Sequence, residues 1–126
     1  MKLIFYFIIL LGLFSSCNNK SYLYRKPVVG LIYDKTPLAD VSVVYDSLDV
    51  LSPQNIVTNK DGRFVLPKIE MDNYGDFISS VKEINSIILI KKKGYFLKKI
   101  DLKKYDKSKD TIRVGVIHLE KANPLN

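Results

Sequence analysis

Apolar and polar positions divide the chain into two unlike parts. Residues 3–14 form one unbroken apolar run, preceded by the single positive charge of Lys2 and followed by the small residues Ser15, Ser16 and Cys17. A charged start, a short apolar stretch and a small-residue junction make the pattern of an export signal. The run is well short of the roughly 20 residues that a membrane-crossing helix needs. Beyond Cys17 the pattern changes to short, β-branched runs separated by turn residues, too closely spaced for ordinary helices to lie between them. Residues 28–33 and 41–45 flank a turn containing Pro37, which fixes φ and removes a donor. Residues 56–58 and 63–66 flank Asn59-Lys60-Asp61-Gly62, where Asp61-Gly62 suits the positive φ of a tight hairpin. Residues 86–91 and 95–102 surround Lys92-Lys93-Gly94 in the same way. The last run, residues 111–119, alternates so that Ile112, Val114, Val116 and His118 are expected on one face.

Seven such strands predict an all-β fold, a sandwich or a small barrel. One stretch does not fit: residues 67–85 are long for a structureless loop. Within it Asp76 is expected to cap a short helix over residues 77–84, just before the fifth strand, with Phe77, Val81 and Ile84 on one side.

The chain has 126 residues, room for one domain. Its 47% hydrophobic and 26% charged residues place it among globular chains. One Cys and one His leave almost nothing from which to build a metal cluster or a nucleophile-base pair, so catalysis and cofactors are not expected. Asn59 and Asp61 offer a fragment of a calcium loop, but Arg63 and strand residues follow where further oxygens are needed, so the pair is read as a turn and no metal is expected. No Ser stands in a Gly-x-Ser-x-Gly elbow, and His118 is read as a strand residue. A glycosidase-like pair of carboxylates has no marked position among the scattered Asp and Glu. The net charge of +7 is concentrated in residues 91–109, with nine lysines against Asp101 and Asp106. Lys91, Lys92, Lys93, Lys98, Lys99, Lys103 and Lys104 are the candidate binding residues, suited to anionic lipid, polysaccharide phosphate or an acidic envelope protein. The same lysines also discourage edge-to-edge aggregation of a hairpin. Nucleic acid is not an expected partner, since an aromatic ladder with Arg is missing.

Two resemblances give these parts a setting. Ser15-Ser16-Cys17 after the apolar run resembles the lipobox of bacterial lipoproteins, although Phe14 stands where Leu is usual. It implies cleavage before Cys17 and acylation of that residue, and two acyl chains suffice for stable anchoring. Gly30-Leu31-Ile32-Tyr33-Asp34, then Pro37-Leu38-Ala39-Asp40-Val41-Ser42-Val43, then Thr58-Asn59-Lys60-Asp61-Gly62-Arg63-Phe64-Val65-Leu66, with Gly94-Tyr95 later, resembles the carboxypeptidase regulatory-like domain. Asp40 departs from that pattern, which often has Gly there. The resemblance implies a transthyretin-like, seven-stranded Greek-key β-sandwich that is usually noncatalytic. The expected organisation is a signal peptide over residues 1–16, a lipidated tether over 17–26, the sandwich over 27–121 and a tail over 122–126. The expected role is a lipid-anchored module of the bacterial cell envelope, at the outer membrane, that binds or supports another envelope component. The alternative is a small envelope hydrolase working through a carboxylate pair.

Overall fold

The computed structural model describes residues 2–3, 21–46, 52–81 and 84–122. Cys17, the residue expected to be acylated, lies outside the described residues, as do residue 1 and the rest of residues 4–20. In chain order the elements are β1 (Tyr22–Arg25), β2 (Val28–Asp34), β3 (Thr36–Pro37), β4 (Ser42–Tyr45), β5 (Arg63–Leu66) and β6 (Ile69–Met71). There follow α1 (Tyr74–Val81), β7 (Ile87–Lys91), β8 (Lys98–Asp101), a 3-10 turn (Leu102–Lys104) and β9 (Ile112–His118). Over residues 21–122, as described, the fold is all-β with one short helix.

Among the described residues, nine strands in three hydrogen-bonded sheets stand in place of the expected seven. In the largest sheet β2 is central: it pairs antiparallel with β5 and β3, and parallel with β9. Val28 and Ile32 point inward and are fully buried. Gly30 between them faces inward too, and a Cβ there would stand 2.5 Å from Val114 and 2.8 Å from the Phe64 ring. Phe64 therefore packs onto bare backbone, and the missing side chain is what lets two strands close over it. The second sheet runs β4-β7-β8, antiparallel throughout, and turns Val43, Tyr45, Ile88, Ile90 and Ile100 inward. Side chains from both sheets meet in a single apolar cluster. Each fully buried Val, Leu or Ile contributes about 1.5–3 kcal/mol relative to exposure.

Four expectations change at this level. The turn at Asn59 to Gly62 forms, but residues 56–58 and 63–66 do not pair as a hairpin ladder. Val43 N–H donates to the Ile56 carbonyl at 2.9 Å and Thr58 N–H to the Val41 carbonyl at 3.0 Å, while β5 pairs with β2. The turn thus carries the chain from one sheet to the other. In β9 a bulge at Gly115 (φ +70°) breaks the period of two, so Ile112, Val114 and Ile117 are buried while Val116 and His118 face outward. One inserted residue flips every later side chain. The helix begins earlier than expected and Asn73 caps it: its side-chain oxygen accepts from Asp76 N–H at 3.1 Å, leaving Asp76 in the first turn. Finally, residues 22–25, read as tether, form β1 against β6. Three-residue β6 is too short to show a period, so its pairing partner was not visible either.

The helix packs on β1 through rings rather than through a buried stripe. Tyr22 lies 5.4 Å from Phe77 and 5.2 Å from Tyr74, centroid to centroid. No helix among the described residues is long and apolar enough to cross a membrane.

Candidate functional site

Asp61 and Gly62, the turn residues named from the sequence, sit in a closed turn. Asn59 Oδ1 accepts from the N–H groups of both Asp61 and Arg63 at 3.0 Å, which uses the oxygen that a cation would need. Gly62 has φ +75°, and its carbonyl accepts from Ile32 N–H at 2.8 Å. Among the described residues no three His, Cys, Asp or Glu side chains gather in a group able to hold a metal ion.

The candidate lysines are distributed over two strands and their connection rather than over one face. Lys91 at the end of β7 and Lys99 in β8 share the outer surface of the second sheet with Leu89, which is paired with Lys99. Lys98 lies opposite Ile90 at the strand's start, on the other side. Lys92 is drawn inward, its Nζ donating to the Ala39 carbonyl at 2.9 Å. Lys93 stands exposed in the turn, and Lys103 and Lys104 are exposed in the 3-10 turn. Asp101 Oδ1 accepts from Lys103 N–H at 3.0 Å and so starts that turn. Between the two lysine groups Phe96 and Leu97 are more than half exposed, at 58% and 51%. Their backbone is fixed all the same. Phe96 N–H donates to the Glu120 carbonyl at 2.9 Å, and Ala122 N–H to the Gly94 carbonyl at 2.9 Å. Tyr95 hydroxyl donates to Asp34 at 2.8 Å, a bond that holds the Tyr95 pKa above its ordinary value. The segment after β9 thus braces a loop that presents two apolar side chains among five lysines. A run of Lys-Lys-Lys-Gly-Tyr-Phe-Leu-Lys-Lys carries this signal in the sequence, although only the structure shows Phe96 and Leu97 turned out of the core.

A second cationic feature was not visible from the sequence. Arg25 in β1 is 6% exposed, and its guanidinium lies over the Tyr45 ring at 3.8 Å and near the Tyr24 ring at 5.3 Å. Its Nη1 donates to the Asn85 carbonyl at 2.9 Å, and Nε and Nη2 are buried without a hydrogen-bond partner among the described residues. The guanidinium sits over the ring face, so the pair with Tyr45 is a cation-π contact, and the buried Tyr45 hydroxyl has Arg25 as its polar neighbour. Burial pushes the Tyr45 hydroxyl pKa up, and the cation beside it opposes that in part. Each buried donor left without a partner costs about 1–3 kcal/mol. Tyr24 and Arg25 are buried consecutively because the β1-β6 register slips between Leu23 and Arg25. An Arg directly after the Tyr22-Leu23-Tyr24 run was the one available hint.

Three hollows in the described surface are lined by cations and by no carboxylate. One, of about 460 Å³, lies on the outer face of the large sheet between Arg63 and Arg113. A second, of about 270 Å³, lies against Arg25, Lys26 and Lys107. The third, about 460 Å³ and widely open, lies beside Lys91, Lys92 and Lys93. Asp106 is held below the usual carboxylate range by the Ser108 hydroxyl and backbone N–H, the reverse of what a general acid requires. His118 is exposed at the end of β9. No family model, curated protein or solved structure matches this chain.

Proposed function

We propose that the protein is a lipid-anchored, noncatalytic module of the bacterial cell envelope that meets an anionic envelope component through its β7-β8 connection. The observation that carries this reading is the exposed pair Phe96 and Leu97 set among Lys91, Lys92, Lys93, Lys98 and Lys99. Apolar side chains flanked by cations suit an interface where head groups meet acyl chains. The sequence supplies the anchor, in which Cys17 follows the apolar run and would carry the acyl groups.

The finer fold reading belongs to the same proposal: a transthyretin-like Greek-key sandwich of the carboxypeptidase regulatory-like kind. Its support is local. Asp40, standing where that pattern often has Gly, takes φ +57°, the backbone region that Gly favours. Thr58 of the Thr-Asn-x-Asp-Gly segment is buried, its hydroxyl donating to the Leu38 carbonyl at 2.6 Å and accepting from Val41 N–H at 3.0 Å. The quoted motifs therefore bond to one another.

Metabolic labelling with a fatty-acid analogue tests the anchor. Wild type is expected to incorporate label, and Cys17→Ala to lose both label and lipoprotein-type processing. Equal labelling of the two overturns the reading.

A further inference from the structure

We propose that the outer face of the largest sheet is a docking surface for an acidic, extended segment of a protein partner. Its central strand β2 reads Val-Val-Gly-Leu-Ile-Tyr-Asp and is apolar at outward as well as inward positions. Val28 and Ile32 are fully buried in the core, while Val29, Leu31 and Tyr33 point the other way and are half-buried. A sheet with one solvated side alternates apolar with polar residues, whereas a strand covered on both sides reads as a continuous apolar run. The adjoining strands repeat the pattern, since Val65 of β5 and Val116 of β9 also face outward, 56% and 53% exposed. The side that the sequence prepares for a cover is therefore open among the described residues.

Charge and shape say what the cover is. The register places Arg63 of β5 opposite Leu31 and Arg113 of β9 opposite Val29, one on each side of β2. At about 4.8 Å between strands and 3.3 Å per residue, their Cα atoms stand about 12 Å apart on a diagonal across the strand. Both side chains are exposed, and neither enters an ion pair among the described residues. The hollow of about 460 Å³ between them is floored by Val29, Leu31, Val65 and the bare backbone of Gly115, where nothing lies within 4 Å of a Cβ position. Each guanidinium fork can take a carboxylate in two parallel hydrogen bonds. In an extended chain, residues i and i+4 point the same way about 13 Å apart, which matches the diagonal between the arginines. The fitting segment thus carries two acidic side chains four residues apart with an apolar one midway. A second copy of this chain fits poorly, because packing face to face would bring four guanidiniums together. A membrane fits poorly too, because the face is a depression floored by short aliphatic side chains and backbone, with nothing protruding to enter the head groups. This surface lies on the other sheet from the β7-β8 connection and does not depend on that site or on the anchor.

The full chain, in a non-ionic detergent, is titrated with acetyl-Glu-Ser-Leu-Ser-Glu-amide and with acetyl-Gln-Ser-Leu-Ser-Gln-amide. The methyl resonances of Val29, Leu31, Val65 and Val116 report binding. Saturable shifts with the glutamate peptide are expected, with affinity at least fivefold weaker for the glutamine peptide and at least fivefold weaker in Arg63→Gln and in Arg113→Gln. Should either variant misfold, the contrast between the two peptides on wild type decides the matter. Changing Lys98, Lys99, Lys103 and Lys104 together to Gln should leave the affinity within twofold of wild type, and a fivefold loss there instead overturns the assignment to this face. Equal responses to the two peptides, or no response, overturn the proposal. So do shifts of the same methyls when phosphatidylglycerol is added to the micelles and none with the peptide, which assign the face to lipid. Shifts that grow with protein concentration alone overturn it as well, since the cover is then a second copy.

Discussion

Two turns in this chain are built around a glycine of positive φ, one at Gly62 (φ +75°) and one at Gly94 (φ +89°), and their surroundings are opposite. At Gly62 a Cβ would stand 2.5 Å from the Ile32 carbonyl oxygen, 3.2 Å from Leu38 N and 3.3 Å from Pro37. At Gly94 nothing lies within 4 Å of where a Cβ would be. The first turn is pressed against the backbone of the central strand and carries the chain between sheets. The second stands in solvent and carries the exposed Phe96 and Leu97 with their lysines. In the sequence both are a charged residue and a glycine between β-prone runs. What separates a turn that holds the fold from a turn that presents chemistry is the backbone packed behind it, and that is a tertiary property.

Replacing each glycine by alanine measures the difference. Gly62→Ala carries the left-handed cost of about 1–2 kcal/mol. It also adds a clash with backbone that cannot rotate away, worth about 1–3 kcal/mol as overpacking. Together, at about 2–5 kcal/mol, these are expected to lower Tm by roughly 8–40 °C for a domain of this size. Thermal unfolding followed by circular dichroism checks the value, and a fall of only a few degrees would show that the β2 backbone yields.

Gly94→Ala carries the conformational term alone, about 1–2 kcal/mol, and a fall in Tm of roughly 4–16 °C is expected, smaller than at Gly62 by the overpacking part. The contrast between the two turns fails if both variants lose the same amount.

Legibility followed the same line between local and tertiary cause. The all-β class and the turn at Asp61-Gly62 were readable because β-branched runs and turn residues act over a few positions. The bulge at Gly115 was missed although a signal was there: a glycine stands inside the strand run and Val116-Ile117 breaks the alternation after it, while the register with β2 shows where the extra residue goes. The pairing of residues 56–58 with β4 was hidden because a turn signal names the reversal, not the strand that will receive it. The candidate lysines were readable as a charge excess but not as a split between two sides of a sheet, nor as the frame for Phe96 and Leu97. Arg25 was missed because the aromatic ring that buries its guanidinium, Tyr45 of β4, is brought to it by tertiary packing. Composition counts charges and is silent on their solvation.

The smallest effect on folding is expected from the lysines, and it sharpens the comparison most. Lys98, Lys99, Lys103 and Lys104 are exposed. The ion pairs among the described residues, Lys68 with Glu70 and Lys121 with Asp34, involve none of them. Changing all four to Gln should shift unfolding by no more than about 0.5 kcal/mol per substitution, as surface substitutions generally do. Binding is another matter. A lysine near an anionic membrane surface contributes about 1 kcal/mol, so the quadruple variant should bind anionic vesicles at least tenfold more weakly even if only half of the four touch the surface. The measurement uses a form that starts at Asn18, so that acyl insertion does not mask the electrostatic part. Raising salt should weaken wild type in the same direction and weaken the variant less, since Lys91, Lys92 and Lys93 remain. Phe96→Ala with Leu97→Ala should remove the portion of binding that salt does not affect, because apolar contact is not screened. A quadruple variant that binds as wild type does, at low salt and at high, leaves the lysines a role in solubility alone, and the turn at Gly94 would then present nothing.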